Sequence, residues 1–220
     1  IIYFIYALLF KLKNKIQIFS IFICNIEWIH HEKPKKEYGS NYNFDEKFYS
    51  KVPKIFIPTE YEAIFKNWCN NKKFKKKKIV CFSSRDKYYH KENYEDPRNS
   101  KFSDYKLIIK KLIKAGYVVV RMGYHKKNDF NFKDKNYFDF YEEEKHNKYL
   151  KLIEILLFKN CEFIVSGPSG IDSYAALFKK KIFIINHFPA GRIPRYRNCV
   201  FIPQKYIKRG LQMNFNKIEK

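Results

Sequence analysis

The chain has 220 residues, and an apolar share of 45% excludes wholesale disorder. Its 45 lysines and arginines against 22 acidic residues give a formal net charge of +23, which favours anionic partners. Five cysteines without a Cys-x-x-Cys pair favour neither a disulfide framework nor a zinc site, and they indicate a reduced cytoplasmic compartment. Abundant Lys, Ile, Asn, Phe and Tyr with little Gly are also typical of an A+T-rich genome, which accounts for much of the charge without any function.

The first 71 residues have a weaker pattern than the rest. The opening IIYFIYALLF is apolar over only ten residues, and lysines interrupt it before IQIFSIFIC resumes, so neither piece is long enough to span a bilayer alone. Because the chain starts at Ile1 rather than Met, it is expected to be a fragment. Residues 1–71 are predicted to be a partial N-terminal region with a linker, and residues 72–220 a separate domain.

The densest basic run is KKFKKKK, from Lys72 to Lys78. No zinc-finger, aromatic RNA-binding or basic-zipper signature accompanies it, so nucleic acid is not an expected partner. We interpret the run as a solvated approach to a strand, with a surface for anionic lipid or polyphosphate as the alternative.

After Lys72, strand-like and helix-like segments alternate as in a parallel α/β sheet. The predicted strands are Lys78–Ser83, Tyr117–Arg121, Glu162–Ser166 and Lys181–Asn186. The first predicted helix lies in FSDYKLIIKKLIKAG, ends at Gly116, and has Tyr105, Ile108, Ile109 and Leu112 on one face. The second lies in NKYLKLIEILLFKN, with Leu150, Ile153 and Leu157 at helical spacing. The third lies in GIDSYAALF. This order predicts a Rossmann-like sheet flanked by helices.

Ligands of such sheets bind beyond the carboxyl ends of the strands, and polar residues follow each predicted strand there. They are Arg85 and Asp86 after the first strand, Arg121 and Gly123 at the second, Ser166, Gly167, Ser169 and Gly170 in SGPSG after the third, and Asn186 and His187 at the fourth. Two arginines, an amide and a turn of small residues before a helix are suited to a phosphate-bearing ligand.

Each of these features also has a purely structural interpretation. Arg121 is as readily explained by pairing with a surface carboxylate as by binding a ligand, and Arg85 by a local pair with Asp86. SGPSG is a plain tight turn about as often as a phosphate-binding turn. The turn matches neither the G-x-G-x-x-G fingerprint nor the P-loop, and the histidines show no metal spacing. The joint placement at successive strand ends favours a site.

Six segments of the chain, taken in order, resemble a family of bacterial glycosyltransferases found among surface-polysaccharide genes. They are VCFSSRD, DPRNS, LIKAGYVVVRMG, LFKNCEFIVSGPSGIDSYAALF, IINHFP and VFIPQKY. The resemblance runs from Phe56 to the C-terminus. It implies that residues 72–220 are the C-terminal domain of a GT-B enzyme, which binds the nucleotide-sugar donor, and that residues 1–71 are a linker and part of the N-terminal, acceptor-side domain. A more distant similarity to fucosyltransferase-like enzymes implies that Arg85 contacts the donor pyrophosphate. The chain departs from the family at Ser83, where His is usual, and at residues 179–181, where three lysines replace Gly-x-Pro.

The resemblance implies a glycosyltransferase that moves a sugar from a nucleotide-sugar donor to a glycan or lipid-linked acceptor. The absence of an Asp-x-Asp motif favours a reaction without metal or other cofactor. Arg85 and Asp86 are the predicted catalytic residues, with Asp86 a weak candidate for the base. The residues predicted to bind the donor are Arg121, Gly123, Ser166, Gly167, Ser169, Gly170 and Asn186.

The expected location is the cytoplasm, with peripheral contact to the inner face of an anionic membrane. The alternatives are a non-catalytic basic module that binds polyanions and a different transferase or epimerase.

Overall fold

The computed structural model describes residues 55–86, 96, 98–125, 130–187, 199–205, 207–208 and 211–212. The chain divides into two compact units, Ile1–Val52 and Pro53–Lys220, and every described residue belongs to the second. The predictions for the opening apolar stretch, and most of those for residues 1–71, therefore fall outside the described residues.

Helices and strands alternate through the second unit. The helices are α1 (Thr59–Asn71), α2 (Lys106–Lys114, entered by a 3-10 turn at Phe102–Tyr105), α3 (Phe140–Glu144), α4 (Leu150–Asn160) and α5 (Asp172–Leu177). The strands are β1 (Lys78–Ser83), β2 (Tyr117–Arg121), β3 (Tyr137–Asp139), β4 (Phe163–Ser166), β5 (Lys181–His187), β6 (Cys199–Pro203), β7 (Ile207–Lys208) and β8 (Leu211–Gln212).

Six of these strands form one parallel sheet in the order β3-β2-β1-β4-β5-β6, while β7 and β8 pair separately as an antiparallel ribbon. This is the strand order of dinucleotide-binding Rossmann sheets, in which the direction of winding reverses beside the first strand. The predicted α/β, Rossmann-like fold is confirmed.

The strand predictions agree closely with the structure where the apolar runs are long. The bounds of β1 and β2 are as predicted, β4 begins one residue later at Phe163, and β5 continues one residue further to His187. The sequence did not predict β3, α3 or β6. The placement of Ile108 on the core face of α2 was wrong: its side chain is 39% exposed, whereas Ile109 is fully buried.

Two layers of helices enclose the sheet. Ile109 of α2 packs with Val80, Phe82 and Val119 on one face. On the other face, α1, α4 and α5 pack on a larger core that includes Trp68 of α1, Leu156 of α4 and Ala175 of α5, as expected for a sheet buried on both sides.

The helix α1 belongs to this core, although it lies in the region predicted to precede the domain. Its Trp68 ring stacks on Phe65 at 5.8 Å and meets Phe74, Phe138 and Phe140 edge-on. The helix therefore covers the β3 end of the sheet. An acceptor-side region before α1 stays a prediction.

Candidate functional site

The carboxyl ends of β1 and β4 form the centre of the candidate site. These two strands pair directly, from Val80↔Phe163 to Ser83↔Ser166, and the winding of the sheet reverses between them. Chain segments that leave neighbouring strands toward opposite faces open a crevice between them, and this is where doubly wound sheets bind ligands. Arg85 leaves β1 and the SGPSG turn leaves β4 at this point.

Two serine hydroxyls form the floor between the strands. Ser83 Oγ donates to Ser166 Oγ at 3.1 Å, and Ser166 Oγ donates to the carbonyl oxygen of Gly167 at 2.7 Å. Both serines are buried, so their hydroxyls satisfy each other rather than face solvent. Ser83, which stands where the resembled family has His, is thus part of the floor of the crevice.

Gly167 brings the two segments into close contact. Its backbone N–H donates to Ser83 O at 3.1 Å, and a Cβ at this position would lie 3.2 Å from the backbone nitrogen of Arg85. The absence of a side chain thus lets the turn after β4 lie against the segment after β1. The structure therefore places Arg85 and SGPSG side by side, as the sequence predicted.

Arg85 shares one carboxylate with a second arginine. Its Nη2 donates to Asp96 Oδ2 at 2.8 Å, and Arg98 donates to the same carboxylate through Nε and Nη2. The hydrogen bond from Arg98 holds the pKa of Asp96 down to about 2, with Arg85 adding to the effect. Two guanidinium groups thus share one half-buried carboxylate beside the carboxyl end of β1.

Asp86, the weak candidate for the base, follows Arg85 and is half-buried. Its predicted role stays a prediction.

The helix after SGPSG is short and already carries an acidic residue. Ser169 is half-buried, Gly170 is exposed, and its carbonyl oxygen accepts from Ser173 N–H at 3.3 Å. Helix α5 has only six residues, and Asp172 lies buried in its first turn. A helix of this length contributes a weak dipole, and the acidic side chain already occupies its positive end. Backbone groups of the turn and Arg85 are therefore better placed than this helix to bind an anion.

Arg121, at the end of β2, is held in a buried cluster. Its guanidinium group lies 4.0 Å from the Phe102 ring centroid, and Nη1 is 3.4 Å from Asp139 Oδ2. The same carboxylate oxygen is 3.0 Å from His125 Nε2, while His125 Nδ1 lies 3.1 Å from the carbonyl oxygen of Gly123. Pairing of Arg121 with a carboxylate is the interpretation that the sequence had left open, and the cluster ties β2 to β3. Donor binding by Arg121 stays a prediction.

Gly123 lies between this cluster and the turn after β4. It has φ +89, and a Cβ there would lie 3.8 Å from Ile171 Cδ1. It lines a small depression with Tyr124, Phe140, Tyr141, Leu150, Lys151 and Glu154. This depression is too small to hold a nucleotide.

Asn186 lies near the end of β5 and has a left-handed backbone with φ +56. The pairing of β5 with β6 shifts register between Ile184 and His187, as at a β-bulge, and Asn tolerates the backbone angle that this requires. His187 is buried, and its carbonyl oxygen accepts from Gln204 N–H at 3.0 Å. Asn186 thus lies on the carboxyl edge, one strand beyond β4.

The sequence missed three residues of this edge: Asp96, His125 and Asp139. Asp96 lies in the segment DPRNS, which carried part of the family resemblance but no assigned role. Asp139 ends a strand of only three residues, too short to give a periodic signal. Only the folded chain brings Asp96 to Arg85 and Asp139 to Arg121, with His125 against Asp139.

The described ranges show neither a metal-binding cluster nor a membrane-spanning helix. No group of three or more His, Cys, Asp or Glu side chains there could hold a metal ion, and no helix there is long and apolar enough to cross a membrane. The cysteines Cys69, Cys81, Cys161 and Cys199 are free thiols, and burial raises the pKa of Cys81.

Comparison with known proteins shows a similarity in structure but none in sequence. No family model matches the chain, and no curated protein matches it in sequence. The chain is similar in structure to ADP-heptose lps heptosyltransferase II from E. coli, with 16% identity, a TM-score of 0.45 and coverage of 72% of this chain and 46% of that one. It thus spans about half the length of that enzyme. An identity and a TM-score this low carry no functional argument, so the resemblances to the glycosyltransferase and fucosyltransferase-like families stay predictions.

Proposed function

We propose that this chain binds a nucleotide-sugar donor between β1 and β4 and is the donor-binding half of a GT-B glycosyltransferase. The observation that carries the proposal is the contact of Arg85 with the Gly167 turn at the point where the winding of the sheet reverses. The acceptor is a glycan or a lipid-linked sugar, in keeping with the resemblance of the sequence to surface-polysaccharide enzymes.

The local chemistry suits a diphosphate. Arg85 and Arg98 lie beside the carboxyl end of β1, where both donate to the carboxylate of Asp96. Guanidinium groups bind phosphate oxygens through two parallel hydrogen bonds, and they keep their charge at any working pH. Arg85 is held in place by Asp96, so little of its side-chain freedom is lost when a ligand binds.

In the proposed reaction, an acceptor hydroxyl oxygen forms a bond to the anomeric carbon of the donor sugar. The bond from that carbon to the diphosphate oxygen breaks, and its electron pair leaves with the nucleoside diphosphate. The acceptor proton passes to a base, for which Asp86 is our candidate. Arg85 stabilises the negative charge that grows on the leaving group, a role that needs no metal ion.

A thermal-shift screen against UDP, GDP, CDP and ADP and their sugars tests the donor site. A matching ligand at about 100 times its dissociation constant raises the free energy of unfolding by roughly 2.7 kcal/mol. Arg85→Ala should abolish the shift, because it removes the charge that contacts the diphosphate. Asp96 still pairs with Arg98 in this variant, so we expect it to fold.

Two variants serve as controls, and one outcome separates the alternatives. Arg85→Lys keeps the charge but loses the paired geometry, and we expect an intermediate shift. Lys75→Ala removes an exposed cation elsewhere and should leave the shift unchanged. Anion binding that falls steeply with salt in parent and Arg85→Ala alike would contradict the donor site and favour a polyanion-binding module. Product analysis with the preferred donor then distinguishes a glycosyltransferase from another transferase or an epimerase.

A further inference from the structure

Helix α2 presents an unusual outer face. It packs on the sheet through Ile109, while Leu107 is 64% exposed and Ile108 is 39% exposed. The lysines Lys106, Lys110, Lys111 and Lys114 are all exposed as well. A surface helix usually shows polar residues opposite its buried side, so two large exposed aliphatic side chains call for an explanation.

The spacing puts these residues on one surface. In an α-helix, residues three, four and seven positions apart lie on the same side, so Lys110, Lys111 and Lys114 surround Leu107. Ile108 lies beside Lys111 for the same reason. The outer face of α2 is therefore an aliphatic centre with a border of ammonium groups.

Among the described residues, no acidic side chain forms an ion pair with the lysines of this face. The lysine ion pairs found within the described part of the chain belong to Lys72, Lys145, Lys151 and Lys159, and none involves an α2 lysine. Asp104, in the turn before the helix, is the one acidic residue between positions 101 and 114. The face thus combines a positive charge with exposed apolar area, the two properties that bind a helix to an anionic membrane surface.

We propose that the outer face of α2 docks on an anionic lipid bilayer, with Leu107 and Ile108 entering the interface and the lysines contacting the headgroups. Aliphatic side chains favour a bilayer over single-stranded nucleic acid, which is bound by aromatic and arginine side chains that α2 lacks. The inference does not depend on the proposed donor site, which lies at the carboxyl edge of the sheet.

The basic run KKFKKKK, for which such a surface was the alternative interpretation, is a poorer candidate. Lys72 pairs with Glu144 and lies over the Phe138 ring, and Lys77 donates to Asn136 Oδ1. The one aromatic residue of the run, Phe74, is buried in the core. KKFKKKK therefore joins α1 to β1 as a mostly solvated connection, and Lys75 and Lys78 from it make good controls.

Lysine footprinting of the full chain tests the docking face. The protein is acetylated with and without vesicles of phosphatidylcholine containing phosphatidylglycerol, and modification is quantified by mass spectrometry. We expect protection of Lys110, Lys111 and Lys114 by the anionic vesicles and no protection by pure phosphatidylcholine. Lys75 and Lys78 should react equally in all samples. Equal labelling of the α2 lysines with and without anionic vesicles would overturn the proposal, even if another part of the chain binds lipid.

Vesicle partitioning of variants gives the second measurement. Lys110→Ala with Lys111→Ala should weaken partitioning by about 25-fold, since each lysine near an anionic surface contributes roughly fivefold. Leu107→Ser with Ile108→Ser keeps the charge and should weaken it by roughly tenfold, because apolar contact is lost. Lys75→Ala with Lys78→Ala is the charge-matched control and should have little effect. An equal loss in the control pair, or protection of the α2 lysines by an oligonucleotide but not by vesicles, would also overturn the proposal.

Discussion

Lysine and asparagine occupy backbone positions that glycine usually fills. Lys73, Lys76, Lys179 and Asn186 all have a left-handed backbone with φ between 56° and 62°. Helix α1 ends with Phe74 N–H bonded to Cys69 O and Lys73 N–H bonded to Asn70 O, the pattern of a Schellman motif, and α5 ends in the same way around Lys179. A side chain in this conformation costs roughly 1–2 kcal/mol, so the glycine-poor composition has left strain at helix ends.

The strain predicts a stabilising substitution at Lys73. Lys73→Gly should raise the free energy of unfolding by roughly 0.5–1 kcal/mol, because glycine adopts this backbone without the Cβ clash. Lys75→Gly is the matched control, since Lys75 is an exposed lysine without a left-handed backbone, and it should not stabilise the protein. Urea denaturation of the parent and both variants checks the prediction, and equal effects of the two changes would contradict it.

Asp96 makes the arginine pair sensitive to acid. Its pKa is lowered from an ordinary value near 3.8 to about 2, so the folded state holds the ionised carboxylate more tightly than the unfolded state does. The resulting stabilisation is complete above about pH 4 and is lost as the pH falls toward 2.

We therefore expect Asp96→Asn to reduce stability at neutral pH, because Arg85 and Arg98 lose the carboxylate that they share. The difference from the parent should shrink as the pH falls from about 4 to 2, since the parent carboxylate becomes neutral as well. Thermal melts across this range provide the measurement. A difference that stays constant down to pH 2 would show that the pairing with Arg85 and Arg98 does not supply it.

At the level of elements, the meeting of the β1 and β4 ends depends on Gly167. The sequence predicted that Gly167 and Gly170 both bind the donor, in a turn of small residues that leads into a helix. The structure shows that Gly167 makes the close approach to Arg85, while Gly170 is exposed.

Gly167→Ala should weaken nucleotide binding more than Gly170→Ala does. The added methyl group would lie 3.2 Å from Arg85 N, so the segment after β1 must move, at a cost of roughly 1–3 kcal/mol in stability. Titration calorimetry with the best nucleotide, beside circular dichroism, separates binding from folding. If Gly170→Ala lost the ligand while Gly167→Ala kept it, the phosphate would lie at the helix end, as the sequence had suggested.

A substitution at Arg121 tests whether this residue stabilises the fold at the end of β2 or binds the donor. Arg121→Met keeps the contact with Phe102 but removes the cation beside Asp139. Asp139 then keeps His125 and the Glu142 N–H as partners, and we expect a loss of about 2–4 kcal/mol in stability. Nucleotide affinity of the folded variant should remain near that of the parent. A large loss of affinity with normal stability would instead place Arg121 in the donor pocket. Chemical denaturation and calorimetry on the same samples decide between the two.

At the scale of the whole molecule, the sequence predicted the sheet better than the site. Long apolar runs such as KIVCFS and YVVVR mark buried parallel strands, and Gly116 with φ +89 ends α2 as expected. The three-residue strand β3 has no such run, and the exposure of Ile108 depends on the angle at which α2 packs, which helical periodicity does not specify. The ion pair of Arg85 with Asp96 depends on a connection whose path no local pattern predicts.

The central position of β1 in the sheet affects how the chain folds during its synthesis. The ribosome makes β1 early, and one edge of β1 can pair with β2 soon afterwards. The other edge pairs with β4, which is made much later, since the paired residues Ser83 and Ser166 are 83 positions apart in the chain. A nascent chain on the ribosome therefore carries one open edge of a strand with five buried residues until β4 has left the exit tunnel. Chaperones that shield strand edges would act during this interval. Products of interrupted translation that stop before β4 would be prone to aggregate, and the crevice would be complete only in chains that have passed this point.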